Sequence, residues 1–243
     1  MKEPRFQLIT VDLMSTLVGA TGVTARLLAD ALESEGLGVP GDEVRSVVGL
    51  PLRRAVMALI RTGASLDDGA RVSERVALRL ESSLSRHFAR PTPAREADEA
   101  TRTFAALRAQ GRRIAVVTAM PRSVVETVLA HAPWFERGLA DTIVSTSDVD
   151  DPRPQPGMIH EAMARTGVVV SARVMKVGET PADLAEGMLA RCGAVVGLTS
   201  GLHSRAELLP RPHTHLADAL STVLDILALG DLAQRNGASL ASA

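Results

Sequence analysis

The chain has no tyrosine, one tryptophan, four phenylalanines and one cysteine. With aromatics at 2% there is no platform on which successive bases could stack, which excludes nucleic-acid binding of that kind. A lone cysteine, Cys192, can form neither an intrachain disulfide nor a zinc site of several thiolates. It lies in an apolar pattern with Leu189, Ala190 and Ala194, and reads as a buried core thiol. Charge of one sign is missing too. The net charge is −1, with Arg interleaved among Asp and Glu, so there is no footprint for nucleic acid or an anionic membrane. No apolar run approaches the ~20 residues that a spanning helix needs. Met1-Lys2-Glu3-Pro4-Arg5 leads into only a short apolar stretch without signal-peptide character. The expectation is a cytoplasmic protein, monomer or homodimer, with neither nucleic acid nor membrane as partner.

What is present suits a globular α/β protein. Hydrophobic residues make up 46% and charged residues 23%, and the core must be built mainly from Ala, Val, Leu and Ile. Short runs rich in β-formers occur at 6–13, 113–118, 142–145, 174–177 and 194–198. Helical patterns lie between them, at 99–110, 123–130, 158–166 and 182–191. Strands alternating with helices of this length predict βαβ units and a Rossmann-like parallel sheet. The stretch from about 22 to 90 breaks the rhythm. It reads as helix at 24–35, 41–48, 50–62 and 66–88, punctuated by Gly36, Gly38, Pro40 and Gly63. Such a block placed straight after the first strand predicts an inserted helical cap. The expected division is a core of residues 1–20 and 92–229, a cap of 21–91, and a tail of 230–243. That tail, rich in Gly, Ser and Ala, is expected to be poorly ordered.

Ligands of an open parallel sheet bind outside the carboxyl ends of its strands. The first strand delivers Asp12, followed by Leu13-Met14-Ser15-Thr16. A carboxylate there is costly unless paired, hydrogen-bonded or bound to a metal. The run at 113–118 ends in the hydroxyl of Thr118, and the loop 148–156 carries Arg153 between prolines. The run at 174–177 leads into Gly178-Glu179-Thr180-Pro181-Ala182-Asp183, two carboxylates around a helix start. Singly, these are also the residues of caps, first helical turns and surfaces. Together and in this order they are the parts that phosphoryl transfer through an aspartyl phosphate needs: a nucleophile, a hydroxyl, a basic group and acids for a hard cation.

In that order the chain resembles the haloacid dehalogenase superfamily, whose four motifs match residues 12–16, Thr118, Arg153 and 178–183. Within it the chain is most similar to the phosphonoacetaldehyde hydrolase-like branch. The residues carrying this are Val48-Gly49-Leu50-Pro51, Arg153-Pro154 with Pro156 and Met158, Lys176-Val177-Gly178, the segment 201–208, and Pro212-His213-Thr214-His215. The resemblance implies Asp12 as nucleophile and Mg²⁺ ligand, and the Met14 carbonyl as a second ligand. It implies Glu179 in the place of a metal-binding Asp, with Asp183 supporting it. Thr118 would hydrogen-bond a phosphoryl oxygen and Arg153 would offset charge on nucleophile and phosphoryl group. Backbone donors near Ser15, Thr16 and Ala119 would add to the substrate site, and Arg53 on the cap would favour a second anionic group. The implied activity is Mg²⁺-dependent hydrolysis of a small phosphorylated metabolite.

Three departures bear on that activity. Many phosphatases of the superfamily carry a second Asp two residues after the nucleophile, as general acid and base; here it is Met14. Such a group contributes about 10²–10⁴-fold in rate, so its loss raises the barrier by roughly 3–5.5 kcal/mol. The lysine with which phosphonoacetaldehyde hydrolase forms a Schiff base is matched by Leu52, and the neighbouring guanidinium of Arg53 is no amine nucleophile. Glu179 replaces Asp, and its extra methylene displaces the carboxylate. Two other readings stay open: a protein that binds a phosphorylated ligand or partner with little turnover, and a metal-free dehalogenase, which the two acids at 179 and 183 argue against. Among the histidines, His203 follows a strand and reads as a surface or cap-contact residue before a site residue. His213 and His215 flank a strand, and His131 and His160 have no site rationale.

Overall fold

The computed structural model describes residues 4–18, 22–60, 66–90, 94–132 and 134–240, and their side chains except at 15, 18, 66–68, 94–97 and 233–240. Strand β1 (Leu8–Asp12) runs into a short helix, α1 (Met14–Val18). Four helices follow: α2 (Val23–Glu33), α3 (Gly41–Ser46), α4 (Leu52–Leu59) and α5 (Leu66–Phe88). Helix α6 (Ala94–Ala109) returns to the sheet, then β2 (Arg113–Thr118), α7 (Arg122–Leu129), β3 (Thr142–Ser145) and α8 (Gly157–Thr166). The chain continues through β4 (Val174–Gly178), α9 (Pro181–Leu189), β5 (Ala194–Leu198), α10 (Arg205–Leu208), β6 (His215–Ala217) and α11 (Val223–Leu240). No described helix is long and apolar enough to cross a membrane.

All the strand pairings are parallel, in the order β3-β2-β1-β4-β5-β6. Strand order reverses between β1 and β4, and the crevice at their carboxyl ends is where doubly wound sheets hold ligands. Side chains alternate across the sheet. Ile9, Val11, Ile114, Val116, Met175 and Val177 join one apolar cluster with Phe104 of α6, Val124 of α7 and Leu227 of α11. Leu8, Ala115, Val117 and Val174 face the other way, against Met158, Ile159 and Ala162 of α8. Thr10 pairs with Lys176 in register, so Asp12 of β1 and Lys176 of β4 belong with this second face.

Leu28, Leu32, Val56, Leu80 and Leu84 of α2, α4 and α5 join the first cluster, so the inserted helices share an apolar core with one face of the sheet. Both expected cap boundaries, at 20–21 and 91–92, fall at or beside residues outside the described ones. The tail differs from expectation. Helix continues through Gly230 to Leu240, and at its start Leu227 is buried and Asp231 is held by chemistry invisible in local composition. Its carboxylate accepts from the buried Arg112 guanidinium at 2.5 Å and from the Arg5 backbone N–H at 3.0 Å. Cys192 packs against apolar side chains as expected, and burial pushes its thiol up to about 12.

Asp148 closes the turn after β3. It accepts from the Ser145 backbone N–H at 2.8 Å and the Ser145 hydroxyl at 2.6 Å, and it pairs with Arg122 and Arg165. Burial works against its charged form, yet the Ser145 hydrogen bonds and the two guanidiniums hold its carboxyl down at about 2. A carboxylate with a depressed folded value stabilises above its unfolded value and loses that contribution as pH falls through the folded one. Asp148→Asn is therefore expected to cost about 1–2 kcal/mol at neutral pH, after discounting the half-exposed arginine partners. In urea titrations the gap from wild type should close between about pH 4 and pH 2. A pH-independent difference would rule this account out.

Candidate functional site

Asp12 is the last residue of β1 and is buried. The turn into α1 folds the Met14 backbone N–H back onto Asp12 Oδ2, at 3.1 Å. Asp12 Oδ1 meets Arg153 Nη1 at 2.9 Å. Arg153 lies on the loop between β3 and α8, only 1% exposed, and has further partners. Nη1 is also 2.9 Å from Asp183 Oδ1, Nε donates to Glu186 Oε2 at 2.9 Å, and Nη2 points at the Val117 carbonyl. Lys176, from the middle of β4, places Nζ 2.9 Å from Asp183 Oδ1 and 3.0 Å from Glu186 Oε2, as ion pairs without hydrogen-bond alignment.

Asp183 belongs to the first turn of α9. It forms a reciprocal cap with Thr180, whose hydroxyl and backbone N–H both donate to Oδ2, at 2.7 and 3.1 Å. Both Asp183 oxygens are thus occupied. The resemblance gives Asp183 a supporting place beside Glu179, and here Oδ1 faces Arg153 and Lys176 while Oδ2 holds Thr180. Gly178 makes the arrangement sterically possible, since a Cβ there would collide with the Asp183 carboxyl.

Charge follows from this packing. Burial raises the Asp12 carboxyl and the neighbouring Asp183 raises it further, while Arg153 and Lys176 pull it back. Burial also opposes ionisation of Asp183, but Arg153 and Lys176 with the Thr180 hydrogen bonds hold it down at about 2. Lys176 stays protonated because Asp183, Glu186 and Asp12 outweigh burial and the nearby guanidinium. By formal charge the three buried carboxylates, Asp12, Asp183 and Glu186, outnumber the two cations, Arg153 and Lys176.

The other expected site residues fall as follows. Thr118 ends β2, where Asp12 pairs with Val117, so its buried hydroxyl lies one residue beyond at the same rim and accepts from the Met120 N–H at 3.3 Å. Ala119 is buried beside it. Thr16 Oγ1 is buried without a hydrogen-bond partner among the described residues. Ser15 lies on α1, and its side chain is outside the described ones. Glu179 follows β4 and is buried. Its carboxylate lies against Gly201, where a Cβ would collide with it, and accepts from the Leu202 N–H at 3.4 Å. Arg53 is a correction. Its side chain is 71% exposed and pairs with Glu74 of α5 at 2.5 Å, because the cap offers it a carboxylate on its own surface. Of the two places expected for His203, surface or cap contact, burial excludes the surface. It is 4% exposed, its Nδ1 lacks a hydrogen-bond partner among the described residues, and burial lowers its pKa.

Three contacts seat the inserted helices on the loops that carry the site. Arg45 donates to the Leu202 carbonyl at 2.7 Å, and Arg54 to the Pro152 carbonyl at 3.3 Å. Gly49, at a φ of 94° that disfavours any side chain, rests on Thr180 where a Cβ would collide with its hydroxyl. Met14 and Leu52 are buried and apolar.

Among the described residues no three His, Cys, Asp or Glu side chains are gathered as a ready metal site. Mg²⁺ does not need such a group, since it is commonly held by one or two carboxylates, waters and a substrate phosphate. The excess of buried carboxylates over cations and the oxygen-only donors at this rim fit that cation. Asp12, Glu179 and the Met14 carbonyl are the groups that could hold it.

Lys176 and Glu186 escaped the sequence reading as functional residues. The signal was there: a lysine inside an otherwise apolar strand run, Val174-Met175-Lys176-Val177, must find a buried partner. Its partner Glu186 lies three residues after Asp183, on the same side of α9.

A protein-family model described as haloacid dehalogenase-like hydrolase matches residues 9–196. The chain is 34% identical over 101 residues to a phosphonoacetaldehyde hydrolase of Parabacteroides distasonis, covering 41% of this chain and 37% of that one. It is 27% identical over 159 residues to the enzyme of that name from Bacillus cereus, covering 63% and 60% respectively. The matches thus span about two fifths and three fifths of those relatives' lengths. Among solved structures, a phosphonoacetaldehyde hydrolase like protein from Oleispira antarctica superposes with a TM-score of 0.75 at 17% identity, over 94% of this chain and 93% of that one. With the family model matching most of its length, the chain belongs to the haloacid dehalogenase-like hydrolases.

Proposed function

We propose that this protein hydrolyses a small phosphorylated metabolite through a phosphoryl group carried on Asp12. The observation that supports it is the 2.9 Å contact of Arg153 with Asp12 at the switch point of the sheet, where a carboxylate sits buried with less than its share of positive charge. An Asp12 oxygen attacks phosphorus, and the bond to the leaving oxygen breaks with its electron pair. Arg153 offsets the negative charge gathered on the carboxylate and phosphoryl oxygens, and Thr118 offers its hydroxyl to one of them. Water then attacks the acyl phosphate, releasing phosphate and restoring Asp12. Mg²⁺, held by Asp12, Glu179 and the Met14 carbonyl, would supply positive charge beside the phosphoryl oxygens. The inserted helices, seated through Arg45, Gly49 and Arg54, would exclude water and select the leaving group.

Met14 offers no proton to the leaving group, so good leaving groups are favoured. Leu52 cannot form an imine, so carbon–phosphorus cleavage through a Schiff base is not the activity proposed, despite the names of the relatives. The apolar Met14 and Leu52 also favour a second reading, a protein that binds a phosphorylated ligand and turns it over little.

A screen of phosphorylated compounds with Mg²⁺, including p-nitrophenyl phosphate and acetyl phosphate, decides between them. The expected outcome is turnover of the activated substrates that falls to background in Asp12→Asn. Turnover untouched by that change removes Asp12 as nucleophile, and none at all leaves the binding reading. With unactivated phosphate monoesters, Met14→Asp should raise kcat by about 10²-fold or more if proton transfer alone is missing. Metal binding is separable from activity by thermal denaturation. Mg²⁺ at 100 times its Kd should stabilise the wild type by about 2.7 kcal/mol and Glu179→Gln by clearly less. An unfolding temperature indifferent to Mg²⁺ would sink the metal assignment.

A further inference from the structure

We infer that Lys176 and Glu186, neither of which has a role in the chemistry proposed above, are positioning residues that fix the plane of the Arg153 guanidinium on Asp12. For its catalytic consequence the inference rests on Asp12 being the nucleophile; for the geometry it does not. Four side chains form a closed ring. Asp183 Oδ1 touches both Arg153 Nη1 and Lys176 Nζ, each at 2.9 Å. Glu186 Oε2 touches both Arg153 Nε, at 2.9 Å, and Lys176 Nζ, at 3.0 Å. With two cations and two carboxylates the ring is neutral, and Arg153 Nη1 extends from it to Asp12.

The geometry explains what each member does. A guanidinium on a long side chain is not fixed by one contact, but contacts at two edges, Nη1 and Nε, set its plane. Lys176 does not need to touch Arg153. It holds the same two oxygens that grip the guanidinium, so neither carboxylate can turn away without giving up a charge partner. The backbone leaves room for this. Besides Gly178 against Asp183, Gly187 next to Glu186 lets α9 lie directly on Lys176, where a Cβ would be 2.9 Å from Lys176 Cβ and 2.8 Å from Val195 Cγ2.

A ring that only stabilised the fold would be a poor choice of residues. Buried ion pairs are often matched or bettered by apolar side chains of similar volume, whereas removing one partner alone is strongly destabilising. That asymmetry supplies the test. Lys176→Met alone should unfold at a lower temperature than wild type. Lys176→Met with Glu186→Leu keeps the net charge and should recover most of that loss. The placement of Arg153 is read from its side-chain Nε–H NMR signal, assigned by its disappearance in Arg153→Lys. In wild type that buried proton should exchange slowly with solvent. In the folded double variant the protection should fall at least tenfold, and kcat on p-nitrophenyl phosphate should fall by about 10²-fold with KM much less changed, the scale of an ångström-sized misplacement. A folded double variant that keeps both the protected signal and the wild-type kcat shows a purely structural ring and overturns the inference. If wild type lacks Asp12-dependent turnover, the proposed function fails, and the exchange measurement still decides the placement. If the double variant does not fold, Glu186→Gln carries the test: it removes the ionic hold on Lys176 while keeping an acceptor for Nε, and unchanged Arg153 protection there overturns the inference.

Discussion

The guanidinium of Arg153, buried among Asp12, Asp183 and Glu186, is the interaction on which the rest of the structure turns. Four charges out of water with it are affordable only because each has a partner within 3.0 Å. Its reach joins three parts of the chain that are far apart in sequence: the end of β1, the loop before α8, and the β4–α9 unit. The charges do not balance completely, and the surplus falls on Asp12, the residue at the mouth of the crevice.

The sheet makes this meeting possible through two simple rules. Alternation along a strand puts Thr10 and Asp12 on the face opposite Ile9 and Val11. The parallel register of Thr10 with Lys176 then aligns β4 so that its lysine lies on the same face. Helix α9 completes the cluster from above, with Asp183 and Glu186 three residues apart and glycines at 178 and 187 admitting close approach. Register, periodicity and the missing Cβ atoms are separate causes, and loss of any one would dissolve the cluster.

The inserted helices are tied to the same region by different means. Arg45 and Arg54 donate to carbonyls of loops 199–204 and 149–156, which border Glu179 and Arg153. These bonds are partly solvated and individually weak beside the apolar core that the inserted helices share with the sheet. The contrast with the fully buried ring is physical: one set of contacts can be exchanged with water at little cost, and the other cannot.

Much of this was legible in the sequence. Strand runs at 6–13, 113–118 and 174–177, which deliver Asp12, Thr118 and Gly178-Glu179, were visible because apolar runs bounded by turn residues follow local rules, and the runs at 113–118, 142–145 and 194–198 match the strands residue for residue. Family motifs then named Asp12, Arg153 and Asp183, which the structure brings together. What local pattern could not supply was the partner of each charge. Arg53 turned to Glu74, Asp231 anchored a tail that composition alone marked as loose, and His203 went inside. Lys176 has no role that its neighbours in sequence could reveal, since its partner Glu186 comes from α9 packed over β4. Periodicity and residue type were enough to set the elements, their order and the chemistry available at the strand ends. Only the tertiary structure decided which charges share a buried ring, because pairing energy depends on distance and dielectric, and neither exists until the sheet and its helices have closed.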